Sequence, residues 1–280
     1  MKLTQKPISL AAAIGMSCIL TLPITGIKSA RADDGTAYSW SLPRIKGEVS
    51  RYRQRAVVTG LLPDGTNLDA HIKMINKQEV KDVKENGDAL VVETVESRTI
   101  IVNGNKIPED PSSYTIFKRT FSNTGLVLKS TVENAPAGSE TLAQMSSMLR
   151  ATPIPDKPVK IGDSWTTEIV NTVVPGKKVK FTSTADSIEK VAGVDTLKIK
   201  VKLTFPIQAN AAEADFVKAD GSYNIDPKTG RLMRSAFDVV NTLIPSPIGE
   251  LKANTSSVTE LIVAGVNDKE EDDIPTAKGK

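Results

Sequence analysis

His71 is the only histidine in this 280-residue chain, and Cys18 is the only cysteine. A serine nucleophile would have to take its base from His71, because acyl transfer of that kind needs an imidazole within hydrogen-bond reach of the hydroxyl. Alternation over Leu68, Asp69, Ala70, His71, Ile72, Lys73 and Met74 places His71 with Asp69 and Lys73 on the polar side of a strand, pointing to solvent. No G-x-S-x-G elbow occurs. The most site-like run, Gly162-Asp163-Ser164-Trp165, follows the proline-rich stretch 153–158 and offers Asp163 no visible catalytic partner. It reads as a corner. The prolines hold an extended lead-in, Gly162 turns the chain, Asp163 accepts a backbone N–H two residues on, and Trp165 opens a strand with its ring turned inward.

Other chemistry is thinly supported. One histidine excludes a multi-histidine metal cage, and a lone cysteine gives neither a disulfide nor a thiolate metal site. The acidic residues Asp268, Glu270, Glu271, Asp272 and Asp273 lack the glycine a calcium loop requires. No G-x-x-x-x-G-K-[ST] phosphate loop is present. No metal and no cofactor are expected. Paired carboxylates stay open as a hydrolase alternative, although Trp40 and Trp165 are the only tryptophans available to stack on a sugar.

The chain opens with Lys2 and Lys6, an apolar run over 8–24, and Ala30-Arg31-Ala32, the order of a secretory signal peptide cleaved after Ala32. Cys18 lies inside the apolar run and lacks the residues that precede a lipidated cysteine. Four basic residues (Lys2, Lys6, Lys28, Arg31) leave with the peptide, so the 36 basic residues fall to 32 against 33 acidic. Such a balance, with 4% aromatic residues, excludes the electrostatic and stacking footprint of a nucleic-acid binder. The expected location is periplasmic or secreted, with no transmembrane anchor after processing.

The elements that would position any site are strands. Apolar alternation predicts them over 57–59, 68–74, 89–102, 114–121 and 126–132, then over 165–174, 179–186, 196–206, 214–225, 232–242 and 251–263. Asn86-Gly87, Asn103-Gly104, Ala192-Gly193 and similar pairs mark tight turns between them, favouring antiparallel meanders. One amphipathic helix is predicted over 139–150, capped by Ser139 and stopped by Pro153, with Leu142, Met145 and Leu149 on one face and Met148 beside them. Gly47 and Gly125 in one half, and Gly162 and Gly230 in the other, punctuate similar strand–turn–strand patterns and suggest a duplication.

The resulting expectation is a mainly β protein: two similar antiparallel β-meander units, as curled sheets or half-barrels, joined by one short amphipathic helix. Residues 1–32 are the signal peptide, 33–44 an N-terminal segment, 45–134 the first unit, 135–158 the helix and proline-rich linker, 159–264 the second unit, and 265–280 a disordered charged tail. A curled meander leaves a concave apolar face that something must fill. The stripe Leu142, Met145, Met148 and Leu149 is the candidate ligand-binding set, against the ordinary reading of an apolar helix face as core between the two β units.

The segment 157–165, Lys-Pro-Val-Lys-Ile-Gly-Asp-Ser-Trp, resembles one found before a β meander in a family of secreted bacterial proteins. In architecture the chain also resembles the half-barrel lipoprotein carriers and receptors of the bacterial envelope. That resemblance implies an apolar-ligand groove and carries over no functional residue; it departs in being doubled where those carriers are single. The functional expectation is an exported, non-enzymatic binding protein for an apolar small molecule or lipid, or for an envelope protein partner. A structural surface protein without a ligand is the alternative.

Overall fold

Tight two-residue turns set the architecture. Asn103-Gly104 and Ala192-Gly193 both hold positive φ at each position, which matches the twist of two antiparallel strands and fixes their pairing. The structure is a computed structural model. It describes residues 35–42, 44–62, 64–135, 140–246 and 249–268, with side chains at 140–143, 245–246 and 249–250 left aside. The expected signal peptide, the Ser139 cap and most of the charged tail lie outside the described residues.

The first run of strands is β1 (Val49–Leu61), β2 (Asn67–Val83), β3 (Ala89–Val102), a short β4 (Asn105–Ile107), β5 (Ile116–Phe121) and β6 (Val127–Glu133). The second is β7 (Ser164–Val170), β8 (Lys178–Val191), β9 (Val194–Phe205), β10 (Val217–Ile225), β11 (Leu232–Ser246) and β12 (Gly249–Leu261). Helix α1 (Glu140–Leu149) lies between the runs. All twelve strands belong to one sheet, in the order β6-β5-β3-β2-β1-β12-β11-β10-β9-β8-β7, with β4 beside β3. Every pairing is antiparallel.

The expectation of curled or half-barrel units is corrected: the sheet is neither closed nor strongly curled. The first strand of one run pairs with the last of the other, from Tyr52↔Leu261 to Gly60↔Ala253. That pairing satisfies two edges that separate units would leave open. The approach is close, since a Cβ on Gly60 would lie 2.6 Å from the Lys252 carbonyl oxygen.

One face of this sheet carries the core. Ala56 and Val58 of β1, Ile72 of β2, Ile199 and Leu203 of β9 and Phe237 of β11 join Trp40, Met145, Met148 and Leu149 in a single apolar cluster. The chain from β6 to β7 therefore lies over the inner face. Tyr223 of β10 donates its hydroxyl to the carbonyls of Leu149 (3.1 Å) and Ala151 (2.8 Å), pinning that chain to the second run. Val159 then pairs with Tyr38, and Gly162, at φ 96°, donates to the Ala185 carbonyl. Trp165 sits 6.2 Å from Trp40, ring to ring. Asp163 accepts from the Lys160 N–H at 2.8 Å, three residues back rather than two residues on as expected.

Candidate binding cleft

Where β1 begins, β2 ends and β3 begins, the sheet forms one side of a cleft of about 460 Å³, within the ~300–1,000 Å³ range of small-molecule sites. Pairing of Ser50 with Gln78, of Val80 with Val91, and of Ala89 with Phe121 aligns these strand ends. Gly47 donates its N–H to Val80, so the chain before β1 is held at the rim. Leu42, Arg44 and Ile45 of that segment form one wall. The β10–β11 turn forms another, tied by Asp226, which accepts from the Lys228 N–H and the Thr229 hydroxyl. Arg150 and Thr152, just past α1, complete the lining.

The lining is apolar at Leu42, Ile45, Val80, Val91, Phe121 and Leu232. The charges are unequal: Arg44, Arg150, Lys228 and Arg231 face the cleft against Glu48 alone. Arg231 pairs with Glu48. Arg150 turns back to Glu93 at 3.0 Å, and Glu93 also accepts from Arg119 at 3.0 Å and Gln78 at 3.1 Å. Burial drives the Glu93 pKa up, but the two guanidiniums outweigh it and hold the carboxyl below its ordinary value. Burial pulls Arg119 down to about 10. Its other donors reach the hydroxyls of Ser146 (2.9 Å) and Ser147 (3.3 Å), which dock α1 on β5.

Arg44 stands apart. Its guanidinium lies 4.4 Å over the Phe121 ring and reaches the Ser122 carbonyl only at 3.5 Å. Among the described residues no carboxylate pairs with it, and burial lowers its pKa to about 10. Tyr52 at the cleft's base is pushed up to about 12, chiefly by burial.

Protein-family profiles give no match, and neither do curated proteins. Among solved structures, the chain is similar to lipovitellin, studied for its lipid–protein interactions, at 9% identity and a TM-score of 0.46; the match covers 78% of this chain and 25% of that one. It is also similar to a protein assigned as exported, with a YmcC-like fold, from Bacteroides fragilis: 15% identity, TM-score 0.29, 81% of this chain and 98% of that one. A protein assigned as a lipoprotein from Parabacteroides distasonis matches at 10% identity and 0.29, over 81% of this chain and 99% of that one.

The sequence-derived candidates fall elsewhere. Met145, Met148 and Leu149 are buried in the core and do not line the cleft, and Leu142 lies on α1 with its side chain outside the described residues. His71 is on the outer face as expected, but its side chain is only 12% exposed; it stands 3.2 Å from Asp69. Arg44, Phe121 and Arg150 were missed. They come from three separate segments, and no local spacing links them.

Proposed function

We propose that the chain is an exported, non-enzymatic binding protein that holds an apolar or amphipathic small molecule in this cleft. The supporting observation is a pocket of ligand size with apolar lining, walled by the segment before β1, the stretch just past α1 and the β10–β11 turn. Export rests on the charged, apolar, small-residue order of residues 1–32. Absence of chemistry rests on the lining: Glu48 is neutralised by Arg231, and the lining hydroxyls have no imidazole beside them. The α1 stripe of Met145, Met148 and Leu149 has a supporting part, since it anchors the chain that delivers Arg150 and Thr152 to the wall.

A neutral fluorescent probe, N-phenyl-1-naphthylamine, tests the reading. The protein is expected to bind it with one site, and Ser50→Trp, which fills the lining from β1, is expected to abolish binding while leaving the melting temperature within a few degrees. Equal probe binding by Ser50→Trp would place the ligand elsewhere and sink the cleft reading.

A further inference from the structure

We propose that the cleft selects an anionic single-chain amphiphile, with Arg44 receiving the acidic head and the apolar lining receiving the tail. The inference rests on the binding reading above and names the ligand class for that site. Three observations carry it. The lining holds four cationic side chains and one carboxylate. Two of the cations have carboxylate partners, Arg231 with Glu48 and Arg150 with Glu93, which Arg119 shares; Arg44 is stacked on Phe121 and forms no ion pair among the described residues, with Glu48 acting on it only at longer range. A guanidinium shielded from water on one face by a ring retains donors in a planar fork, and such a fork matches a carboxylate or phosphate. Lys228 stands exposed on the turn opposite, adding positive potential at the mouth. In the same lining, Leu42, Val80, Val91 and Leu232 provide apolar surface without charge.

Head and tail recognition thus share one cavity, with Arg44 as the half-buried cation and Lys228 as the exposed one. A free anion would use only the cations, and a neutral apolar molecule would leave Arg44 partly desolvated and unpaired, which is unfavourable. The balance favours a molecule that supplies both parts.

Competition experiments on the full mature chain test this. Hexadecanoate, hexadecanol and inorganic phosphate are each titrated by calorimetry and against bound N-phenyl-1-naphthylamine. Hexadecanoate is expected to bind roughly 10–100-fold tighter than hexadecanol, the range of a charge-assisted contact. Arg44→Gln should collapse that preference, read as the ratio of hexadecanoate to hexadecanol affinity within the variant, and Arg44→Lys should keep most of it. Equal binding of hexadecanol, or a preference that survives Arg44→Gln, overturns the inference and leaves the cleft reading standing. Phosphate binding as tightly as hexadecanoate with the same Arg44 dependence also overturns it, in favour of a small-anion site. Failure of both the probe and hexadecanoate to bind removes the cleft reading and this inference together.

Discussion

Glu93 carries more partners than any other carboxylate near the cleft, and its energetics follow from that. It is buried and bonded by Arg119, Arg150 and Gln78, so removing its charge strands two guanidiniums in a poorly hydrated place. Glu93→Gln is expected to cost about 3–5 kcal/mol at neutral pH, read from denaturant melts. The pH dependence follows from the direction of its shift. A carboxyl held below its unfolded value of 4.5 contributes stability that is complete above that value and is lost as pH falls through the lower folded value. Wild type should therefore lose stability on acidification below 4.5 more steeply than Glu93→Gln, and parallel curves would show that the carboxylate contributes no such linkage. The residue was illegible in sequence for a definite reason. Ile100 faces inward, so strict alternation puts Glu93 on the outer face, but the register slips where Ile75 pairs with Ser97 and Asn76 with Val95. That bulge reverses the parity of β3 and turns Glu93 inward. A similar slip in β11 between Val239 and Thr242 turns Thr242 inward, where its hydroxyl has no partner among the described residues.

At the scale of elements, the chain from β6 to β7 depends on two glycines that differ in kind. Both have positive φ, 83° at Gly125 and 96° at Gly162. A Cβ at Gly162 would meet nothing within 4 Å, so Gly162→Ala should cost about 1–2 kcal/mol, the strain of a left-handed backbone alone. At Gly125 a Cβ would lie 2.3 Å from the Thr152 carbonyl oxygen and 2.8 Å from Leu42 Cδ1. The clash falls on two residues that line the cleft, so Gly125→Ala should lose more stability than Gly162→Ala and also weaken binding of the neutral probe. Equal melting temperatures for the two variants, or unchanged probe affinity in Gly125→Ala, would contradict this account. The corner at Gly162 was readable because prolines and a Gly-Asp pair mark a turn locally. Gly125 was readable as the hairpin turn it is, whereas the strand-free segment that docks on it, through Thr152 N–H to the Gly125 carbonyl, leaves no trace in nearby residues.

For the whole molecule, the decisive contact is the one between β1 and β12. Side-chain alternation showed most strands and the turns between them, because burial on one face imposes a period of two. It did not show that two runs of strands share a ladder, since edge pairing is made by backbone groups common to every residue type. The consequence is physical: the inner-face cluster contains residues of β1, β2 and β3 together with residues of β8 to β12, so the two runs share one main core, beside a small cluster of Val80, Ala89 and Val91 within the first run. Calorimetry of the mature chain should show one transition, with matching calorimetric and van't Hoff enthalpies. Gly60→Val tests the coupling at the seam, where the added side chain meets the Lys252 carbonyl oxygen. It should lower that single transition and speed amide exchange equally in β2 and β9, strands on opposite sides of the seam. If the variant instead splits the melt in two, or loosens β2 while β9 keeps its protection, the runs fold independently and the sheet is two domains laid side by side.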